Sequence, residues 1–170
     1  MYALIVYESM FGNTKQIAEA VADGLATAMR TEVMEVGSAP ASVSEDLGLL
    51  VVGGPTHAFG MSRASTRQSA AQQGRVLSQG QGVREWLATL GTPSARLASA
   101  AFDTRIAKPR MPGSAARGVA KRLRRLGLAA VTPAESFYVT GTQGPLVAGE
   151  VERARQWGER LGSSFLIPAS

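Results

Sequence analysis

The segments Tyr2–Tyr7, Leu49–Val52 and Leu97–Phe102 are short and almost continuously apolar. A strand with one wet face alternates apolar and polar residues, whereas an uninterrupted apolar run is what a parallel strand covered on both faces needs. Val33–Val36 and Phe137–Thr140 are two further strand candidates. Between these runs lie turns rich in Gly, Ser or Thr, followed by segments with helical spacing. In the first such segment Ile17, Val21 and Leu25 recur at four-residue steps with Ala18, Ala28 and Met29, while Lys15, Glu19 and Asp23 point elsewhere. In the last, Val147, Val151, Ala154, Gly158, Leu161 and Phe165 share a face opposite Glu152, Arg155 and Glu159. Strands alternating with helices predict a parallel α/β sheet with right-handed crossovers.

The 170 residues suit one domain, residues 1–170, with a substantial core. Hydrophobic residues at 45% and charged residues at 18% are ordinary for a globular chain. No apolar run approaches the roughly 20 residues that span a bilayer, so no integral membrane segment is expected. The apolar start Met1–Tyr7 lacks a basic leader and meets Glu8 at once, so it reads as a strand, and a cytoplasmic location is the default expectation. There is no cysteine and His57 is the single histidine, which excludes disulfides, thiolate metal sites and His-rich metal sites. A net charge of +5 and a pI near 10.2 favour acidic partners or anionic ligands. Two connections are longer than the rest. Ser62–Gly82 has little apolar periodicity and predicts surface loop with a partial helix, and Arg105–Ser114, with Pro109 and Pro112, predicts irregular chain.

The richest segment joins the first strand to the first helix: Tyr7-Glu8-Ser9-Met10-Phe11-Gly12-Asn13-Thr14. A helix N-terminus carries free N–H groups and partial positive charge, which favour a phosphate. Ser9, Asn13 and Thr14 add side-chain donors, and Gly12 lets the backbone close around an anion. The loop has neither the Gly-x-x-x-x-Gly-Lys spacing of a nucleoside-triphosphate site nor the Gly-x-Gly-x-x-Gly of a dinucleotide site. A monophosphate fits it better. The bland alternative is a simple helix cap, which Ser, Thr and Asn supply constantly.

Ile5, Val6, Tyr7, Ser9, Gly12, Thr14, Ala18 and Val21 fill every fixed position of the flavodoxin signature, so the chain resembles the flavodoxin family. The resemblance implies a flavodoxin-like, doubly wound, five-stranded parallel sheet of order 2-1-3-4-5 with helices on both faces. It implies FMN as cofactor, with Ser9, Met10, Phe11, Gly12, Asn13 and Thr14 around its phosphate. Gly53-Gly54-Pro55-Thr56 looks like the family's Gly-x-Pro-Thr element, and the following loop makes Pro55, Thr56, His57, Ala58, Phe59 and Gly60 expected flavin contacts. Phe59 offers a face for stacking, and a peptide flip near the flavin is cheap at Gly60. After the fourth strand, Phe102, Asp103 and Thr104 align with the flavin's polar edge, although Phe102 also suits a core position at a strand end. No Tyr occurs between Tyr7 and Tyr138 to supply the stacking ring that the family often places in that loop. No residue is expected to act as a catalyst in its own right, since the flavin carries the chemistry.

From Arg105 to Arg125 there are eight Lys or Arg residues and no acidic one. Ala116, Val119, Ala120, Leu123 and Leu126 make a buried helical stripe, which leaves Arg117, Lys121, Arg124 and Arg125 facing solvent. This is either an ordinary solvated face or a docking surface for an acidic redox partner protein or an anionic substrate. Nucleic-acid binding is not expected, because no aromatic residue interrupts the stretch. Two functions follow from the resemblance: an electron carrier between protein partners, and an FMN-dependent oxidoreductase acting on a small-molecule electron acceptor such as a quinone, or on a protoporphyrinogen-like substrate. For the second, Arg63 and Arg67 stand beside the expected flavin loop.

Overall fold

A computed structural model describes residues 1–93, 96–109 and 111–166. Strand β1 (Tyr2–Tyr7) lies between the edge strand β2 (Thr31–Glu35) and the central β3 (Leu47–Pro55). Beyond β3 lies β4 (Ala98–Ile106), and all these pairings are parallel. The outer flank of β4 is shared by two consecutive segments. The short β5 (Ala129–Ala130) pairs with Ala98 and Ser99, and β6 (Glu135–Val139) pairs with Phe102 to Ile106. The order is thus 2-1-3-4-5, with the fifth position filled in two pieces rather than by one strand. The expected fifth strand, Phe137–Thr140, is the second of these pieces, displaced by two residues at its start and one at its end.

Alternation along the central strands sorts their side chains into two cores. Leu4, Val6, Leu50, Val52 and Ala101 face α3 (Val83–Thr89) and α4 (Ala115–Arg125), where they meet Trp86, Leu87, Val119 and Leu123. Ala3, Ile5, Leu49, Val51, Ala100 and Phe102 face α1 (Asn13–Leu25) and α5 (Glu150–Leu166), where they meet Ile17, Val21, Leu25, Ala154, Trp157 and Leu161. Burial on both faces explains why the runs carry no polar alternation. Helices α1 and α5 touch backbone to backbone: a Cβ at Gly24 would stand 2.0 Å from the Arg155 carbonyl oxygen, and one at Gly158 2.2 Å from that of Val21. The α5 face differs from the expected one. Trp157 is buried, while Val151 is exposed and Val147 precedes the helix.

Helix α2 (Ala64–Gln73) is the partial helix expected within 62–82 and fills its first half, and Ala70 is its one buried residue. With so little apolar surface to bury, it leaves almost no periodic signal in the sequence. On α4 the residues Ala116, Val119 and Leu123 are buried, and Arg117, Lys121, Arg124 and Arg125 are exposed. Arg110, part of the basic stretch, lies outside the described residues.

Candidate functional site

The turn after β1 opens α1 without a side-chain cap. Gly12 has φ +96°, the left-handed conformation that glycine adopts without a Cβ penalty. The first bond of the helix runs from the Gln16 N–H to the Gly12 carbonyl at 3.0 Å, so the N–H groups of Asn13, Thr14 and Lys15 precede the ladder. The first turn holds no acidic residue, which leaves the positive end of the helix dipole unneutralised by its own sequence. Ser9 Oγ accepts the Gly12 N–H at 3.1 Å and tightens the turn. Thr14 Oγ1 lies 2.7 Å from Thr104 Oγ1 at the end of β4. Two hydroxyls joined by one bond spend one proton, and the other remains available for a ligand.

This loop is held from outside by a segment whose role left no mark in the sequence. Ser78 and Leu77 donate their N–H groups to the carbonyls of Ser9 and Met10, both at 2.9 Å. Ser78 Oγ accepts the Ser9 N–H at 2.9 Å. Across the same side, Gln143 Nε2 donates to the Gln73 carbonyl at 3.0 Å, joining the end of α2 to the loop after β6.

At the end of β3 the chain reverses between His57 and Gly60, each donating its N–H to the other's carbonyl at 2.8 and 3.0 Å. The two residues at the tip, Ala58 and Phe59, have φ of +46° and +74°. Positive φ at both central positions is the type I′ pattern that normally calls for Asn or Gly. Strain is therefore concentrated at this tip. His57 Nδ1 lies 3.1 Å from Thr66 Oγ1 on α2. Burial first, then the nearby Arg67 guanidinium, pushes the His57 imidazole below its ordinary pKa and keeps it neutral at pH 7.

Asp103 and Phe102 take up structural positions. Asp103 is fully buried and accepts hydrogen bonds from Thr56 Oγ1 at 3.1 Å, from the Ala116 N–H at 3.0 Å and from Ser114 Oγ. Thr56 Oγ1 in turn accepts the Ala115 N–H at 3.1 Å. The carboxylate thus sits at the start of α4, where helix polarity favours a negative charge, and ties the Pro55-Thr56 loop to that helix. Phe102 packs edge to face with Phe137 and Trp157 at centroid distances of 6.2 and 6.1 Å. Its ring also lies against Gly53, where a Cβ would approach within 2.1 Å of it. Neither side chain lines the cleft: Asp103, expected at the flavin's polar edge, is a helix-start anchor, and Phe102 takes the core position that was its other expected role. The apolar face of β4 that buries Phe102 is continuous with the α1–α5 core, which explains that position.

The loops enclose a cleft of about 280 Å³ at the carboxyl ends of β1, β3 and β4. Ser9, Met10, Phe11, Asn13, Thr14, Pro55, Thr56, His57, Ala58 and Thr104 line it. Gly12, Phe59 and Gly60 belong to the same loops but not to the lining, and Phe59 stands 53% exposed beside the mouth. The stretch 62–82 supplies a further wall through Thr66, Ser69, Ala70 and Gln73 of α2. Arg105 and Ile106 at the end of β4, with Val139 and Thr142 after β6, complete the lining. Arg63 and Arg67 do not line it.

Behind the cleft Glu8, 1% exposed, accepts the Val83 N–H at 2.8 Å and the Ser62 hydroxyl. Arg67 Nη1 donates to Ser62 Oγ at 2.8 Å, and Arg67 also pairs with Glu85. Burial raises the Glu8 carboxyl above its ordinary value, against the lowering effect of Ser62, Val83 and Arg67. This buried link ties the end of β1 to the loop after β3 and to α2 and α3.

A doubly wound sheet with its cleft at the switch point between outward-running crossovers defines the ligand-binding class of open α/β proteins. The Flavodoxin family model matches residues 5–91, half of the chain, and the chain belongs to the flavodoxin family. Its fold is similar to that of oxidised Flavodoxin 1 from Bacillus cereus, at 18% identity and TM-score 0.69 over 100% of both chains. It is also similar to the Streptococcus pneumonia TIGR4 flavodoxin, at 17% identity and TM-score 0.67 over 96% of this chain and 99% of that one. A flavodoxin from the domain Archaea matches at 19% identity and TM-score 0.65, covering 97% and 99%. A search of curated protein sequences finds no match.

Proposed function

We propose that the cleft binds FMN and that the protein carries electrons between protein partners. The observation that carries the reading is the uncapped start of α1, with Gly12 in the left-handed conformation and three N–H groups ahead of the helical ladder. The Ser9, Asn13 and Thr14 side chains stand around it in the cleft wall. That donor set suits a phosphate monoester, and no carboxylate in the first turn opposes it. Pro55, Thr56, His57 and Ala58 would flank the ring system, and Thr104, bonded to Thr14, would help hold the cofactor. FMN would supply the redox chemistry there, and the chain's residues would bind and orient it. At about 280 Å³ the cleft lies just below the roughly 300–1,000 Å³ typical of ligand sites. A cytoplasmic setting belongs to the same proposal.

The α2 wall favours a second reading, an FMN oxidoreductase acting on a quinone or a protoporphyrinogen-like substrate, because Thr66, Ser69 and Gln73 add polar groups beside the expected ring. Reconstitution tests the first claim: protein incubated with FMN and passed through a desalting column should retain about one equivalent of flavin. No retained flavin and no binding at equilibrium would overturn it. Photoreduction in two separate one-electron steps would support the carrier, and a single two-electron step the enzyme.

A further inference from the structure

Charge is divided unevenly along this fold. Residues 47–134 hold thirteen Lys or Arg against two carboxylates, a net +11, whereas the rest of the chain holds five against eleven, a net −6. The two carboxylates do not offset the basic side. Asp103 is fully buried, and Glu85 is paired with Arg67. Among the described residues, Arg63, Arg84, Arg117, Lys121 and Arg122 have no carboxylate within ion-pair distance.

Arg63 at the N-terminus of α2 and Arg117 in the first turn of α4 lie on elements that border the cleft, with Lys121 one turn further along α4. Arg84 is fixed by donating Nη2 to the Met61 carbonyl at 2.9 Å and Nε to the Ser62 carbonyl at 3.2 Å, just behind the 57–60 turn. Helix α4 packs onto Met61 at Gly118, and Arg122 stands one turn further along the same face. Burial, followed by the charges of Arg63 and Arg122, lowers the Arg84 guanidinium from its usual value, as expected of crowded like charges. Inside the basic border lies an apolar patch: Phe59 is 53% exposed, Met111 46% and Ile106 36%. Arg105, next to Ile106, donates to the Met111 carbonyl, and Phe59 abuts Gly113, which brings the three segments together beside the mouth.

We propose that this face is the docking surface for a carboxylate-rich electron-transfer protein, with Phe59, Met111 and Ile106 at its centre and Arg63, Arg117 and Lys121 on its rim. The inference rests on the carrier reading of the cleft and adds the chemistry of the partner. An apolar centre within a charged rim is the anatomy of a protein–protein contact. A single-strand nucleic-acid surface would instead present several aromatic rings among its cations, and among the described residues of this face Phe59 is the one exposed aromatic. Uncompensated cations around the mouth would steer an acidic partner toward the cleft and discourage a basic one.

Calorimetric titration at about 50 mM salt, where charges reach beyond roughly 10 Å, tests this with an acidic two-iron ferredoxin and a lysine-rich cytochrome c as probes. Both are used fully oxidised. The ferredoxin should bind, lose affinity about tenfold by roughly 200 mM salt, and lose at least about tenfold in the triple variant R63E/R117E/K121E. The variant R30E/R160E, on the other side of the molecule, should stay within about twofold of the parent. The cytochrome should not bind. Equal binding of both probes, unchanged affinity in the triple variant, or tighter binding to a DNA duplex or to vesicles of anionic lipid would overturn the proposal. Titrations run with and without added FMN separate the two claims: failure to take up FMN strikes the function of the cleft, and indifference to the rim charges strikes the docking surface.

Discussion

A core role and a flavin-contact role for Phe102 predict different phenotypes, and the structure gives it the core role. In the structure its ring is fully buried and contacts Phe137 and Trp157 edge to face at 6.2 and 6.1 Å. Each such pair adds about 0.5–1.5 kcal/mol beyond burial, so losing both costs about 1–3 kcal/mol. Phe102→Leu keeps much of the apolar volume and should destabilise by about 2 kcal/mol; Phe102→Ala opens a cavity and should cost about 3–5 kcal/mol. Urea unfolding of FMN-free protein measures this without the contribution of bound ligand. At a temperature where both proteins are folded, the Leu variant should bind FMN within about twofold of the parent, because its ring does not reach the cleft lining. A variant with near-parent stability and a tenfold or greater loss of FMN affinity would refute the core assignment.

Thr14→Val should weaken FMN binding by about tenfold to a hundredfold, since a hydrogen bond to a charged phosphate is worth about 1.5–3 kcal/mol, and Thr14→Ser should restore most of it; flavin fluorescence quenching reads both. Glu8→Gln tests the buried carboxyl through pH. A carboxyl raised in the fold contributes stability that is present below its ordinary value of 4.5 and is lost as pH rises through the raised one. The parent should therefore lose stability relative to the Gln variant from about pH 5 upward, and a pH-independent difference between their urea midpoints would contradict the raised value. Ala58→Gly relieves about 1–2 kcal/mol of left-handed strain against a backbone-entropy cost of about 0.5–1 kcal/mol, so it should be neutral or stabilising. A thermal melt showing a loss of more than about 1 kcal/mol would contradict the backbone at the turn.

What the sequence revealed and what it hid have physical causes. The strands were legible because burial on both faces removes polar residues from Ala3–Tyr7 and Leu47–Val52 almost completely. The start of α1 was legible because its chemistry is local, with Ser9, Gly12 and Thr14 acting within six residues. Helix α2 was legible only as a partial helix somewhere in 62–82, since a helix that buries only Ala70 has no apolar period to fix its ends. The clamp of Leu77 and Ser78 on Ser9 and Met10 is made mostly by backbone groups, which every residue carries alike. Gly53 looked like part of a flavin loop. Its closest neighbour is the Phe102 ring, a contact between strands about fifty residues apart that no local pattern announces. The split fifth strand escaped for a related reason, because two residues, Ala129 and Ala130, are too few to show a period.

The claim that the start of α1 is a phosphate site for a flavin is tested most directly by titrating flavin-free protein with FMN and, in parallel, with riboflavin. The two ligands share the ring system and differ by the phosphate alone. The account predicts saturable binding of one FMN and at least about tenfold weaker binding of riboflavin, because charge-assisted bonds to the phosphate are lost. Equal affinity for the two, or binding of neither, would contradict it.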